Sequence, residues 1–445
     1  MTKLEFDWPD EAAERVRAAQ GRLALAADAL RARSFDDRLT AVASVLADWT
    51  APDSPWRREL ASALADATPF EAATLTEGLE SALRAWDPEG FKACAQREIG
   101  CLLTERDVEL APFESVTVLA GGSIPMPTIL SSLLPLVVGS PVLLRETSKD
   151  PVTASLLSRS LAARDEGLAK SFEAVAFPAD DVAAFDVALK APCIVATGSD
   201  ETLADVARRL APSQRFVPYG HKFSVAAVGP AAIEDAATLS ATAAGISLDV
   251  ARWDQSGCLS PVVVYAVGLN NGDTKSLATA ISACLEELAT SMPRGALPPA
   301  RAVVTANERS EARMRLTGTE GLLFEGTQHT VVLELDAEPR PAPLSRFLRI
   351  MPVDSEEFFV QALERFSGHI STVSIAGLSL GLGEAIANNP SAERSPSPTE
   401  SLFARLARVG VSRVTKPGRS QTPPVDWPHD GLPLFTPVAR FIQSD

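Results

Sequence analysis

Histidine, cysteine and tyrosine are scarce in this chain of 445 residues, at four, five and two copies. His221, His329, His369 and His429 are far apart and form no cluster with cysteine, so no metal site is expected. The cysteines Cys94, Cys101, Cys193, Cys258 and Cys284 are odd in number and show no paired CxxC spacing. A disulfide framework is therefore not expected, and a reducing, cytoplasmic compartment is. Long apolar runs are also missing. The most apolar stretch, Ile129 to Leu144, is broken by Pro135, Gly139 and Pro141 and is too short to span a membrane. The opening MTKLEFDWPDEAAERVRAAQ is acidic and lacks an apolar stretch, so no signal peptide is expected. Excess positive charge is absent too. A formal charge of −16 repels a long polyanion, which excludes nucleic acid as the expected partner but not a small phosphorylated ligand on a local basic patch. There is no P-loop or HExxH.

What is present is an ordinary globular composition, 46% hydrophobic and 22% charged, over a length that suggests two or three domains. The first hundred residues read as helices, rich in Ala, Leu and Arg from Glu11 to Trp49. Ser54-Pro55 sets a capping hydroxyl before a proline at the first helical position. Thr68 to Glu71 fits a capping box.

Near Glu114 the pattern changes. SVTVLA (115–120) is a β-branched run that stops at Gly121-Gly122. PVLLR (141–145) and CIVAT (193–197) are further strands, the last followed by Gly198-Ser199 and the helical ETLADVARRL. Short apolar strands alternating with helices imply a parallel sheet, which binds ligands beyond the carboxyl ends of its strands. Gly121, Gly122, Ser123, Arg145, Thr197, Gly198 and Ser199 all lie at such ends. A second α/β region begins around Phe223, with FSVAAV (223–228), PVVVYAV (261–267), TVVLEL (330–335), FLRIMPV (347–353) and STVSIAG (371–377). AEPRPAP (337–343) and NPSAERSPSPTE (389–400) read as exposed loops, and 411–431 as an ordered, extended tail. GLGEAI (381–386) begins like a dinucleotide fingerprint, but Ile386 fills its third small position and no acidic residue follows at the ribose distance, so it reads as a turn.

Cys258 stands out among the thiols. Asp254-Gln255-Ser256-Gly257 leads into it as a polar turn, and Ser260-Pro261 starts the next strand. On such a loop a thiol can be exposed, and its own N–H can stabilise an oxyanion on a carbonyl it has attacked. An inert, packed thiol is the alternative on spacing alone. Cys193 falls in a buried strand and Cys284 in an amphipathic helix.

Five ordered segments carry a resemblance: GGSIPMPT (121–128), VLLRETSKDP (142–151), VATGSDETL (195–203), VPYGHKFSVAAVG (217–229) and DQSGCLSP around Cys258. Together they resemble the bacterial long-chain acyl-CoA reductases of luminescence systems, the LuxC type, a branch of the aldehyde dehydrogenase superfamily. The match is clear over about 115 to 267, and DWPHDG (426–431) resembles the tails of such proteins.

The resemblance implies an α/β, aldehyde dehydrogenase-like fold: a Rossmann-type cofactor domain, an α/β catalytic domain and a helical N-terminal layer. The expected boundaries are 1–105 for the helical region, 106–228 for the cofactor domain, 229–405 for the catalytic domain and 406–445 for the tail. It implies Cys258 as the nucleophile that takes the acyl group from a thioester, then yields the aldehyde after hydride delivery. Arg145 matches a position that usually carries Lys against the adenosine ribose. An arginine there suits a 2′-phosphate, so NADPH is expected, with NADH as the alternative; a surface Arg is the competing reading. Thr197, Gly198 and Ser199 match the turn near the cofactor's pyrophosphate, where a simple Ser cap also fits. Partners implied are acyl-CoA or an acyl-carrier or acyl-protein thioester, and a second copy of the chain in a homo-oligomer.

Two departures from the superfamily matter. Ser123 stands where an oxyanion-stabilising Asn is usual; a hydroxyl can donate too, but it is shorter. Pro218 stands where aldehyde-oxidising members carry the water-activating Glu. Proline is no base, so slow hydrolysis and a reductive direction are implied. His221 is a structural imidazole or a proton donor to the aldehyde oxygen. Trp427 and His429 anchor the tail or line a substrate tunnel. Competing functions are a cofactor-independent acyltransferase or thioesterase using Cys258, and a catalytically silent scaffold.

Overall fold

The computed structural model describes residues 11–105, 107–381 and 400–443. The chain divides into two compact units. The first holds the chain up to Thr68, Leu79–His221 and everything from Pro423 on; the second holds Pro69–Gly78 and Lys222–Thr422.

Seven strands belong to the first unit: β1 (Val108–Leu110), β2 (Val116–Leu119), β3 (Val142–Arg145), β4 (Phe172–Val175), β5 (Cys193–Thr197), β6 (Arg215–Tyr219) and β14 (Phe441–Gln443). β2 to β6 form a parallel sheet in the order β4-β3-β2-β5-β6, and β1 pairs with β14 antiparallel. β2 is buried throughout, which is why its sequence is a continuous apolar run rather than an alternation. The strand order reverses between β2 and β5, so the carboxyl ends of those two strands border the sheet's switch point.

The helical N-terminal region is a covering for this sheet. In the helix Ala12–Arg31, Ala12, Val16, Ala19 and Leu23 recur at helical spacing and join a core with Leu143, Ile194 and Ala196. On the helix Phe35–Thr50, buried Trp49 donates from Nε1 to Ser160 Oγ at 3.0 Å. The Ser54 cap is present, its hydroxyl accepting from Arg57 N at 3.2 Å. The Thr68–Glu71 capping box is not the observed arrangement. Thr68 closes the preceding helix, its N–H and Oγ1 both donating to Leu64 O, and the next helix starts at Ala72. The two helix ends are so close in sequence that a cap for one reads as a cap for the other.

The C-terminal residues complete this unit. The Glu98 carboxylate accepts from the backbone N–H groups of Leu434, Phe435 and Thr436 at 2.8, 2.8 and 3.2 Å. Phe435 is fully buried against Phe91.

The second unit is built on a seven-stranded sheet of β7 (Phe223–Val228), β8 (Pro261–Val267), β9 (Leu322–Glu325), β10 (Thr330–Leu333), β11 (Phe347–Val353), β12 (Ile370–Ala376) and β13 (Arg413–Thr415). Its order is β13-β12-β7-β8-β11-β10-β9, parallel except at the β9 edge. The helices Ala236–Ala251 and Asn271–Ser291 pack on one face through Ile246, Val250, Leu277 and Ile281. Glu356–Glu364 and Leu402–Val409 cover the other.

The boundary expected after residue 228 falls instead after His221. FSVAAV pairs with β12 and β8, not with the first sheet. β6 is the edge of the first sheet, which is where a proline, Pro218, is tolerated within a strand. The expected tail is also not extended throughout, since it begins within the helix Leu402–Val409. The loop 337–343 is free of regular structure, as expected. Residues 382–386 of GLGEAI and the expected loop at 389–399 lie outside the described residues.

Candidate active site

Cys258 is exposed on the connection between the helix Ala236–Ala251 and β8. The helix ends at Ala251, and Trp253, Asp254 and Gln255 then adopt φ of 54°, 48° and 61°. Three consecutive non-glycine residues in the left-handed region reverse the chain. All three are buried. Trp253 meets Phe70 edge-on at 6.3 Å, and a Cβ on Gly78 would come within 2.8 Å of the indole, so only glycine leaves room for that ring.

Polar bonds fix the turn. Asp254 Oδ1 accepts from Arg346 Nε and Nη2 at 3.0 and 2.7 Å, and its Oδ2 accepts from Gly295 N at 2.9 Å. Burial pushes the Asp254 carboxyl up and the Arg346 guanidinium down, each resisted by the charge of the other. Gln255 Nε2 donates to Pro261 O at 2.9 Å and Phe347 O at 3.0 Å. Beyond the thiol, Ser260 Oγ donates to Asp249 O at 2.9 Å. The Cys258 carbonyl accepts from Ser224 Oγ at 2.7 Å, and that oxygen accepts from Thr372 N at 3.1 Å. β7, β8, β11 and β12 thus all contribute to holding a short exposed segment. Of the other thiols, Cys193 is buried and pushed up to about 12 by burial, as is Cys94 by burial and then the Glu98 charge. Cys284 is half-buried and Cys101 exposed.

In the first unit, Thr197, Gly198 and Ser199 end β5 and open the helix Asp200–Arg209. Ser199 Oγ accepts from Thr202 N at 3.3 Å, so the expected cap is present. Gly121 lies beside this turn, and a Cβ there would be 2.1 Å from Thr197 O. Gly122 has φ +82°, a conformation suited to glycine, with nothing within 4 Å of where a Cβ would be. Ser123 is half-buried just before the helix Pro125–Val137. Arg145, at the end of β3, donates from Nη2 to Phe177 O at 2.8 Å, its guanidinium lying over the Phe177 and Phe185 rings at 5.3 and 5.9 Å. Burial pushes its pKa down. Beside it, burial and then the Asp150 charge push the Glu146 carboxyl up to about 6.

The His221 backbone N–H donates to Asp200 Oδ1 at 3.0 Å. His429 stacks on Tyr219 at the end of β6, 4.6 Å away with planes 12° apart, and Trp427 lies 5.0 Å from His429. Sequence reading missed Arg346, Ser224 and Gly295. It also missed Ser282, whose Oγ lies 2.9 Å from His329 Nε2, with Glu286 3.4 Å from Nδ1. That trio has the residue types of a hydrolytic triad, but His329 and Ser282 are buried. Among the described residues, no group of three or more His, Cys, Asp or Glu could hold a metal ion, and no helix is long and apolar enough to cross a membrane.

Solved structures with this fold include aldehyde dehydrogenases. A variant of aldehyde dehydrogenase C from Pseudomonas syringae, solved with NAD+ and octanal, superposes with a TM-score of 0.69 at 14% identity, over 97% of this chain and 88% of that one. An NAD-dependent aldehyde dehydrogenase from Sinorhizobium meliloti gives 0.68 at 15%, over 98% and 87%. The glyceraldehyde-3-phosphate dehydrogenase GapN of Methanocaldococcus jannaschii, solved with NADP, gives 0.66 at 11%, over 99% and 96%. The fold is therefore aldehyde dehydrogenase-like, α/β with parallel sheets. Among characterised sequences, the long-chain acyl-protein thioester reductase of Aliivibrio fischeri is 23% identical over 332 residues. That match covers 74% of this chain and spans 63% of the relative's length. The family description Acyl-CoA reductase (LuxC) matches residues 30–441, nearly the whole chain, and the chain belongs to that family.

Proposed function

We propose that this protein reduces a long-chain fatty acyl thioester to the aldehyde, with Cys258 as the acyl acceptor and a nicotinamide dinucleotide as reductant. The observation that carries the reading is the exposed Cys258 on a loop fastened on both sides to buried strands. An exposed thiol can reach a bulky thioester, and a fixed loop holds sulfur where attack requires it. The thiolate attacks the thioester carbonyl, the acyl–sulfur bond to the donor breaks, and the donor thiol leaves. A bound reduced nicotinamide supplies the hydride. The resulting oxyanion collapses to the carbonyl as the carbon–sulfur bond to Cys258 breaks, which releases the aldehyde and returns the thiolate; the one proton consumed goes to the departing donor thiolate. Pro218 in place of a carboxylate leaves no base at that position to activate water against the acyl-enzyme, which favours reduction over hydrolysis. Ser123 is proposed as a donor to the oxyanion.

The first unit's switch point fits a dinucleotide. The helix Asp200–Arg209 starts directly after Thr197, Gly198 and Ser199, and Gly121 and Gly122 carry no side chain to fill the adjoining space. Within this reading NADPH is preferred, because Arg145 puts a guanidinium at the end of β3. NADH is the alternative, favoured by the Arg145 bond to Phe177 O and by the Glu146 carboxyl beside it. The acyl donor is coenzyme A or a protein thiol; the same reading includes a cytoplasmic location and a homo-oligomer, which light scattering checks.

The test mixes purified protein, NADPH and a long acyl-CoA or acyl-protein. Acyl-dependent loss of NADPH absorbance with aldehyde formation is expected, together with an acyl adduct mapped to Cys258 and lost in Cys258→Ala. Thiol release without nicotinamide and without aldehyde would establish the acyltransferase or thioesterase reading instead. An adduct on another residue would overturn the site.

A further inference from the structure

The turn that carries Cys258 is strained, and a second strained turn lies against it. Trp253, Asp254 and Gln255 have φ of 54°, 48° and 61°; Leu344, Ser345 and Arg346 have 63°, 57° and 67°. Each non-glycine residue in this region costs about 1–2 kcal/mol, so each turn carries several kcal/mol that its surroundings must offset. The two turns are joined to each other by the Arg346–Asp254 pair and the Gln255–Phe347 bonds.

We propose that Arg346 and Asp254 are positioning residues for Cys258: their buried ion pair holds the left-handed turn from Trp253 to Gln255, and that turn sets where the thiol is presented. The proposal rests on the reading of Cys258 as the nucleophile.

Three observations carry it. Arg346 is fully buried and Asp254 nearly so. A buried ion pair is a poor source of stability, because desolvation offsets its attraction, so its use here points to a requirement for one geometry. Arg346 Nη2 also lies 3.4 Å from Ala251 O, just before the turn, and its Nη1 donates to Met292 O at 2.8 Å, at the end of the helix Asn271–Ser291. Ala251 is the last residue of the helix that leads into the turn, so one guanidinium grips the helix end and the turn together. Downstream, Gln255 and Ser224 tie the exposed segment to strands, and Ser260 ties it to the helix Ala236–Ala251. A shift at Asp254 therefore has few ways to relax except through residues 256–259, where the thiol sits.

The experiment compares wild type with Arg346→Met, Arg346→Lys and Asp254→Asn. Cys258 alkylation by iodoacetamide is mapped by mass spectrometry, with exposed Cys101 in the other unit as the internal reference. Single-turnover acylation, steady-state kinetics and circular dichroism complete the set. Arg346→Met is expected to lower Cys258 alkylation and acylation at least about tenfold, the scale of a small misplacement of a reacting group, with KM for the thioester little changed. Arg346→Lys should recover part of the loss, because it restores the charge without the two-pronged fit. Asp254→Asn keeps the shape and decides the question if Arg346→Met does not fold. A folded Arg346→Met or Asp254→Asn protein with wild-type Cys258 rates would overturn the proposal. Wild type that takes no acyl group would overturn the functional reading instead, while the alkylation rates still decide this one.

Discussion

Gln255 grips the backbone of Phe347 from both sides. Its Oε1 accepts from Phe347 N at 2.9 Å and its Nε2 donates to Phe347 O at 3.0 Å. A side chain thus plays the part of a neighbouring strand at the start of β11. Gln255→Leu keeps much of the volume and strands the Phe347 N–H in a buried place. We expect a loss of about 2–4 kcal/mol, since each buried polar group left unmade costs about 1–3 kcal/mol. Urea unfolding followed by tryptophan fluorescence measures it; an unchanged midpoint would show that Gln255 bears no load.

Gly121 faces Thr197 O so closely that a Cβ would lie 2.1 Å from it. Gly121→Ala must push the ends of β2 and β5 apart. We expect dinucleotide affinity to fall at least about tenfold, the scale of 1.4 kcal/mol. Cys258 alkylation, which reads the other unit, should be unchanged. Fluorescence titration with NADPH provides the measurement, and wild-type affinity would remove this turn from the cofactor site.

Asp249 is fully buried and accepts from Gly418 N and Ser420 N at 2.7 and 3.0 Å. Burial still dominates and pushes its carboxyl up to about 6. An unfolded Asp titrates near about 3.9, so the folded state holds this proton more tightly. The resulting stabilisation is fully present below about pH 4 and is lost as pH rises through about 6. Asp249→Asn removes that dependence. Between pH 4 and pH 7 wild type should lose about 2 kcal/mol relative to the variant. A wild-type-minus-variant difference that is flat across this range would contradict the shift.

Arg145→Gln separates its two possible roles. If the guanidinium meets a 2′-phosphate, KM for NADPH should rise about tenfold or more, the worth of a charge-assisted hydrogen bond, with KM for NADH nearly constant. Equal changes for both cofactors, accompanied by a lower Tm, would assign Arg145 to its bond with Phe177 O.

Much of the architecture was legible because parallel strands buried on both faces leave apolar runs. VTVL, VLLR and CIVAT all became strands of one sheet. The loop of Cys258 was legible from its polar turn before a strand. Which sheet a strand joins was not: β7 follows β6 after three residues yet pairs elsewhere, and pairing leaves no local periodicity. Arg346 was hidden for a related reason. An arginine just before an apolar strand reads as surface, and its partner Asp254 lies 92 positions away. The glycines that make room, Gly78 for Trp253 and Gly295 for the Pro69 backbone, were unreadable too, because what they admit comes from a distant segment.

The Glu98 clamp has a consequence for how the protein is made. The first unit includes Leu434 to Thr436, whose N–H groups Glu98 receives, yet the whole second unit is translated before them. During synthesis, the thiol-bearing unit can therefore finish folding while the first unit still waits for Leu434 to Thr436. A chain cut short before Leu434 would leave a folded cysteine loop attached to a first unit without its Glu98 clamp.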